Sequence, residues 1–110
     1  MNIFMLDSSM DKCVKYHCDK HIVKMPLETT QMVCTIARKL GLNPPYLPVH
    51  PKHPCTLWGG MNKRNFVWLR MFGIALCHEY TFRYGRKHDC EKVLHDVDCQ
   101  CWDYLPHGDY

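Results

Sequence analysis

The stretch from Asp7 to Leu40 constrains this chain more than any other, because it reads as one helix with more than one face committed. At 3.6 residues per turn, Val14, Cys18, Ile22, Met25, Thr29, Met32, Ile36 and Leu40 recur at steps of three and four and form an apolar stripe. A second, looser stripe of Tyr16, Val23, Leu27 and Cys34 lies on the far side. Between the two runs a polar line with the same step: His17, His21, Lys24, Glu28, Gln31, Thr35 and Arg38. A surface helix normally has one apolar and one solvated face. This one is therefore expected to be packed on two sides, with titratable groups in the gap. Glu28, flanked by His21 and Lys24 at helical spacing, is a candidate acid–base centre, since burial and neighbouring charge both move pKa values. The same spacing also describes a solvated edge with i,i+4 pairs such as Lys24–Glu28. Pro26 removes an amide and crowds the preceding turn, which predicts a break or kink near Met25. Glu28 then falls in the first turn of the second half, where the helix dipole favours a carboxylate.

The flanking chemistry sets the limits of this helix and the elements around it. Residues 1–6 are apolar and short, and read as a brief strand or an extended arm laid on the core. Ser8 or Ser9 offers an N-cap, with Asp11 in the first turn. Gly41 closes the helix, with Arg38 and Lys39 in its last turn. Residues 42–55 hold five of the seven prolines and no periodicity, so an irregular loop is expected. Residues 56–84 read as a second long helix, capped by Thr56, with Leu57, Met61, Trp68, Phe72 and Ala75 on one face. Its basic residues Lys63, Arg64 and Arg70 alternate with Phe66 and Trp68, the composition of a nucleic-acid groove and equally of a core helix with a solvated edge. Gly85 ends it, a short amphipathic helix over 89–97 follows, and 98–110 reads as an irregular tail or a truncated element. The fold class is all-α: one compact domain over 1–110, made of two long helices and a short third one behind an extended N-terminal arm.

Composition narrows the setting. A chain of 110 residues with 46% hydrophobic content suits one modest core. A net charge of +3 is compatible with nucleic acid without requiring it. The start MNIFMLD has no basic residue and carries Asp7 inside its apolar run, unlike a secretory signal, and no run is long enough to span a membrane. Eight cysteines are then expected to be mostly reduced thiols in a cytoplasm, with Cys18, Cys34 and Cys77 buried as small hydrophobes. Cys13, His17, Cys18 and His21, or His50, His53 and Cys55, contain metal-ligand types. Neither group has paired zinc-site spacing, and Cys99–Cys101 is a lone CxC, so no metal site is assigned.

Asp19-Lys20-His21 followed by Glu28 resembles the small phage pyrimidine-dimer DNA glycosylases of the endonuclease V type, in which an Asp-x-His precedes the catalytic Glu by the same interval. The short apolar start, Arg38–Lys39, the run HPCTLWGGMNKRNFVWLR and Gly108-Asp109-Tyr110 follow in the family's order, and related small phage proteins share a YHCDKH helix and an HPC-x-x-W turn. The resemblance covers most of residues 1–85. It implies an all-α fold, a damaged or modified DNA duplex as partner, no cofactor, and the cytoplasm of the host cell. It also implies a two-step reaction. An N-terminal amine attacks C1′ of the 5′ nucleotide, displaces the base and forms an imine, and elimination then cuts the strand. An α-amine has a reference pKa of about 8, so part of it is neutral near pH 7. Asn2 is too large a second residue for Met removal, which makes the Met1 amine the expected nucleophile beside Asn2. Glu28 carries over as the group that stabilises the cationic sugar and handles protons. His21, Arg38 and Lys39 carry over as groups near the DNA backbone, and His17, Lys24 and Gln31 of the polar line with Lys63 and Arg64 of the basic, aromatic helix complete the expected DNA-facing set. A non-catalytic phage protein that holds a nucleotide, nucleic acid or host protein in the same cleft, and a metal-stabilised interaction module, are the competing readings.

Overall fold

The computed structural model describes residues 3, 5, 8–42, 44–46, 48 and 50–101, the last four as backbone only. Five helices follow one another: α1 (Met10–Lys15), α2 (Asp19–Lys39), α3 (Pro54–Gly59), α4 (Lys63–Tyr84) and α5 (Cys90–Cys101). There is no strand among the described residues. The radius of gyration, 13.1 Å, is about that of a folded chain of this length.

The two long helices are present, but the first is divided in a different place from the one Pro26 suggests. Helix α2 runs unbroken through Pro26, and the interruption lies upstream at Tyr16–Cys18. There His17 Nδ1 bonds the Cys13 carbonyl at 2.8 Å, and Cys18 turns extended before α2 begins. Pro26 is buried on the packed side of α2, and the Thr30 hydroxyl donates to its carbonyl at 2.7 Å. The local cost of an interior proline, about 3 kcal/mol, is offset by a helix enclosed by α3, α4 and α5.

Two faces of α2 are indeed packed, though the second is not the stripe expected. Ile22, Met25, Thr29, Met32 and Ile36 are buried as the spacing requires. Tyr16, Val23 and Leu27 are exposed, and the second face consists of Pro26, Thr30, Val33 and Ala37. Cys18, expected inside, is exposed because it occupies the N-cap position of α2 rather than a helical turn. Gly41 closes α2 at φ 89°, in the left-handed region, and the Leu42 amide donates to the Ala37 carbonyl at 3.1 Å.

The second long segment is also split, at Gly60–Asn62, so α3 and α4 have separate registers. Leu57 and Met61, expected on the core face, are consequently exposed. Thr56 lies buried inside α3, whose cap is His53: its Nδ1 accepts from the Cys55 amide at 3.1 Å. His88 accepts from the Cys90 amide at 3.2 Å in the same way at the start of α5. Each is a His-x-Cys step that satisfies an otherwise unpaired N-terminal amide. Helix α5 continues to Cys101, so 98–101 belongs to it rather than to an irregular tail.

The core has two parts. Met32, Val33 and Ile36 of α2 meet Phe66, Leu69 and Cys77 of α4 and Leu94 of α5. Cys13 and Val14 of α1 meet Ile22 and Met25 of α2 and Phe72 and Leu76 of α4. Ile3 and Trp68 pack against both parts. Gly73 lets three helices converge: a Cβ there would lie 2.9 Å from Leu94 Cδ1 and 3.1 Å from Thr29 Cγ2.

Candidate functional site

The polar line of α2 is covered at both ends and open in the middle, and what covers it decides what each residue can touch. At its upstream end His17 is only 2% exposed. Its ring lies 6.1 Å from Phe72 and edge-on to His21 at 6.4 Å. Burial holds its pKa below the ordinary value; the bond to Cys13 opposes this, and the charges of His21 and Arg83 reinforce it. His17 is thus held inside the fold with its ring edge-on to that of His21.

At the downstream end the proline-rich loop folds over the helix. Arg38 Nε donates to the Tyr46 carbonyl at 2.9 Å and Nη2 to the Pro44 carbonyl at 2.7 Å. Lys39 Nζ donates to the Pro51 carbonyl at 2.8 Å. Thr35 is buried and donates to the Gln31 carbonyl at 2.7 Å. A loop rich in prolines leaves many carbonyls without partner amides, and these two cations satisfy some of them. Beneath, Tyr46 bonds Cys90 Sγ at 3.6 Å. That bond and burial push the Tyr46 hydroxyl up to about 12.

Between these ends lie Lys24, exposed, and His21, Glu28 and Gln31, half-buried. They are consecutive members of one helical face and are the part of the predicted set that the structure brings together. Met1 and Asn2 lie outside the described residues, so their distance from Glu28 is not among the facts of the fold.

A cleft of about 600 Å³ is lined by Ile3, Met5, Pro54, Cys55, Trp58 and Trp68. Its aromatic wall is continuous with the core. Trp58 meets Trp68 edge-on at 5.6 Å, Trp68 stacks on Phe72 at 4.9 Å, and Phe72 meets His17. A row of rings thus joins the cleft to His21. Lys63 and Arg64 occupy the first turn of α4, at the corner that Asn62 and Asn65 build. Asn62 Oδ1 accepts from the Asn65 amide at 2.8 Å, and Asn65 Nδ2 donates to the Trp58 carbonyl at 2.8 Å. Trp58 is the tryptophan of the HPC-x-x-W turn, although it was not among the expected site residues. The split at Gly60–Asn62 sets α3 apart from α4, and Trp58 of α3 and Trp68 of α4 both line the cleft.

The model of the family described as pyrimidine dimer DNA glycosylase matches residues 1–92, which take in α1 to α4 and the first turn of α5. The chain belongs to the pyrimidine dimer DNA glycosylase family. Membership implies DNA as the substrate. No curated protein and no solved structure matches the chain. No helix among the described residues is long and apolar enough to cross a membrane.

Proposed function

We propose that the chain is a DNA glycosylase with lyase activity, acting on pyrimidine dimers or modified bases through its N-terminal amine. The amine nitrogen attacks C1′, the glycosidic bond breaks, and the base leaves with its electron pair and takes up a proton. The adduct nitrogen then loses a proton, the C1′–O4′ bond opens with O4′ taking up a proton, and nitrogen and C1′ are joined as the imine. Removal of a C2′ proton then expels the 3′ phosphate. Glu28 stabilises the cationic sugar and relays these protons. His21, Lys24, Gln31, Lys63 and Arg64 face the DNA, where ammonium and guanidinium groups meet phosphate. Arg38 and Lys39 act through the loop they hold. The cleft beside Trp58 and Trp68 suits an unstacked base, whose face gains about 1–3 kcal/mol on an aromatic ring.

The observation that carries this reading is the seat of Ile3 against both parts of the core. Met25 and Met32, one from each part, precede and follow Glu28 by three and four positions, on neighbouring turns of one face. Two residues of chain reach at most about 7 Å, so the mechanism requires the sugar to bind within that reach of Ile3 and beside Glu28.

The test is borohydride trapping on DNA with an abasic site, with strand cleavage measured in parallel. The wild-type chain is expected to cross-link through an imine. Glu28→Gln keeps shape but loses charge and proton transfer, so cleavage should fall by at least about 100-fold while DNA binding changes little. Acetylating the terminal amine should abolish both trapping and cleavage. Normal cleavage by Glu28→Gln, or by acetylated protein, rejects the mechanism. DNA binding without trapping by the wild-type chain indicates the non-catalytic cleft instead.

A further inference from the structure

Away from the α2 face, one cluster is built from donors that a metal ion binds. His78 on α4 and Glu91 and His95 on α5 each place one ligand atom within 4.8 Å of the others. Glu91 and His95 are four residues apart on one helix and so share a face. Helix α5 is held on α4 by Cys90, Leu94 and Val97 inside the core and by Arg70 Nε, which donates to the Leu94 carbonyl at 2.9 Å. The cluster therefore spans a packed seam whose two sides are fixed relative to each other.

We propose that His78, Glu91 and His95 form a site for a divalent transition metal ion, zinc by preference, with a further coordination position left to water. Two imidazole nitrogens and one carboxylate oxygen are a zinc donor set, whereas calcium and magnesium take oxygen ligands. His78 Nε2 and Glu91 Oε1 stand 3.5 Å apart. That is longer than the 2.7–3.2 Å of an N–H···O hydrogen bond. It is close to the edge of roughly 3.4 Å that two ligands make around tetrahedral zinc at about 2.0–2.1 Å. The Glu91 side chain is 14% exposed and held against the seam, while that of His78 is 65% exposed. His95 is exposed as well. Both rings can close on an ion at the carboxylate by side-chain rotation, with no repacking of the core. Bound there, the ion would clip α5 to α4 and stabilise that junction. Neither the cysteines nor the α2 histidines take part.

The experiment uses the full chain, stripped with chelator and kept reduced, and titrated with zinc by calorimetry. One saturable site is expected, weakened at least about tenfold by His78→Ala, by His95→Ala and by Glu91→Gln. Zinc should also raise the melting temperature of the wild-type chain but not of the His78→Ala/His95→Ala double variant. Both rings are largely solvated, so these variants should fold, which far-UV circular dichroism checks. Cobalt in place of zinc should give visible d–d bands without a thiolate charge-transfer band. Unchanged zinc affinity in the double variant, a thiolate band with cobalt, or no saturable binding at millimolar zinc would overturn the proposal. None of these outcomes depends on glycosylase activity.

Discussion

Arg83 ties three helices together, and its removal is the most informative perturbation of the bundle. Near the end of α4 its Nε donates to Glu79 Oε1 at 3.0 Å, its Nη1 to Asp19 Oδ1 at 3.0 Å, and its Nη2 to the Lys15 carbonyl at 3.0 Å. The three acceptors do not weigh equally. The Asp19 side chain is 80% exposed, so that pair contributes about 0–1 kcal/mol. Glu79 is 14% exposed and the Arg83 side chain 17%, and a hydrogen bond between charged groups out of water contributes about 1.5–3 kcal/mol. The Lys15 carbonyl closes α1 and adds about 1 kcal/mol.

Allowing for the fact that these bonds share one donor group, Arg83→Ala should cost about 3 kcal/mol, whereas Asp19→Asn should cost under about 1 kcal/mol. At roughly 4 °C per kcal/mol for a domain of this size, the first variant loses about 12 °C in melting temperature. Urea unfolding followed by circular dichroism, with the slope compared between variants, measures both. The reasoning is refuted if Asp19→Asn costs as much as Arg83→Ala. It is equally refuted if Arg83→Ala costs less than about 1 kcal/mol at unchanged slope.

Two further outcomes follow from burial. The folded pKa of His17 is depressed below 6.5, mainly by burial, so the unfolded chain takes up this proton first as pH falls. The neutral ring's contribution is complete above pH 6.5 and is lost as pH drops through the folded value. The melting temperature should therefore fall between about pH 7.5 and about pH 5.5, and fall less steeply in His17→Gln; equal slopes would discount His17 as the source. Among the described thiols, burial pushes Cys77 up to about 12 and raises Cys34, while Cys18 is exposed. Alkylation followed by peptide mapping should mark Cys18 in the native chain and Cys34 and Cys77 only after unfolding. Native labelling of Cys77 would contradict the packing of α4 on α5.

Periodicity made most of α2 legible, because a stripe at steps of three and four has few places to go except inward. The helix class, the C-terminal stop at Gly41 and the end of α4 at Gly85 follow from the same local rules. The failures are also local in origin. Pro26 argued for a break or kink; the helix is not broken there, and the break came instead where the His17 side chain bonds its own backbone four residues back. The second buried face of α2, made by Pro26, Thr30, Val33 and Ala37, passed unnoticed while exposed Tyr16, Val23 and Leu27 were assigned to it. Leu57 and Met61 were misplaced because Gly60–Asn62 resets the helical register. The pairing of His78 with Glu91 and His95 was invisible for a different reason: it depends on how α5 docks on α4, which no local pattern specifies.

What covers α2 also explains why its polar line divides into a structural and an exposed part. The same spacing of His17, His21, Lys24, Glu28, Gln31, Thr35 and Arg38 would give one uniform edge on an isolated helix. Packing breaks that uniformity: His17 is buried at the α1–α2 corner against Phe72, Thr35 is buried, and Arg38 and Lys39 are engaged by the proline-rich loop. The open interval from His21 to Gln31 covers ten steps of the helix, about 15 Å at 1.5 Å each. On the proposed reading that length spans roughly four base steps of 3.4 Å along one strand, enough for Lys24 and Glu28 to address adjacent nucleotides. A contact to the other strand must then come from a different element. On that same reading Lys63 and Arg64, in the first turn of α4, are the cations proposed to make it.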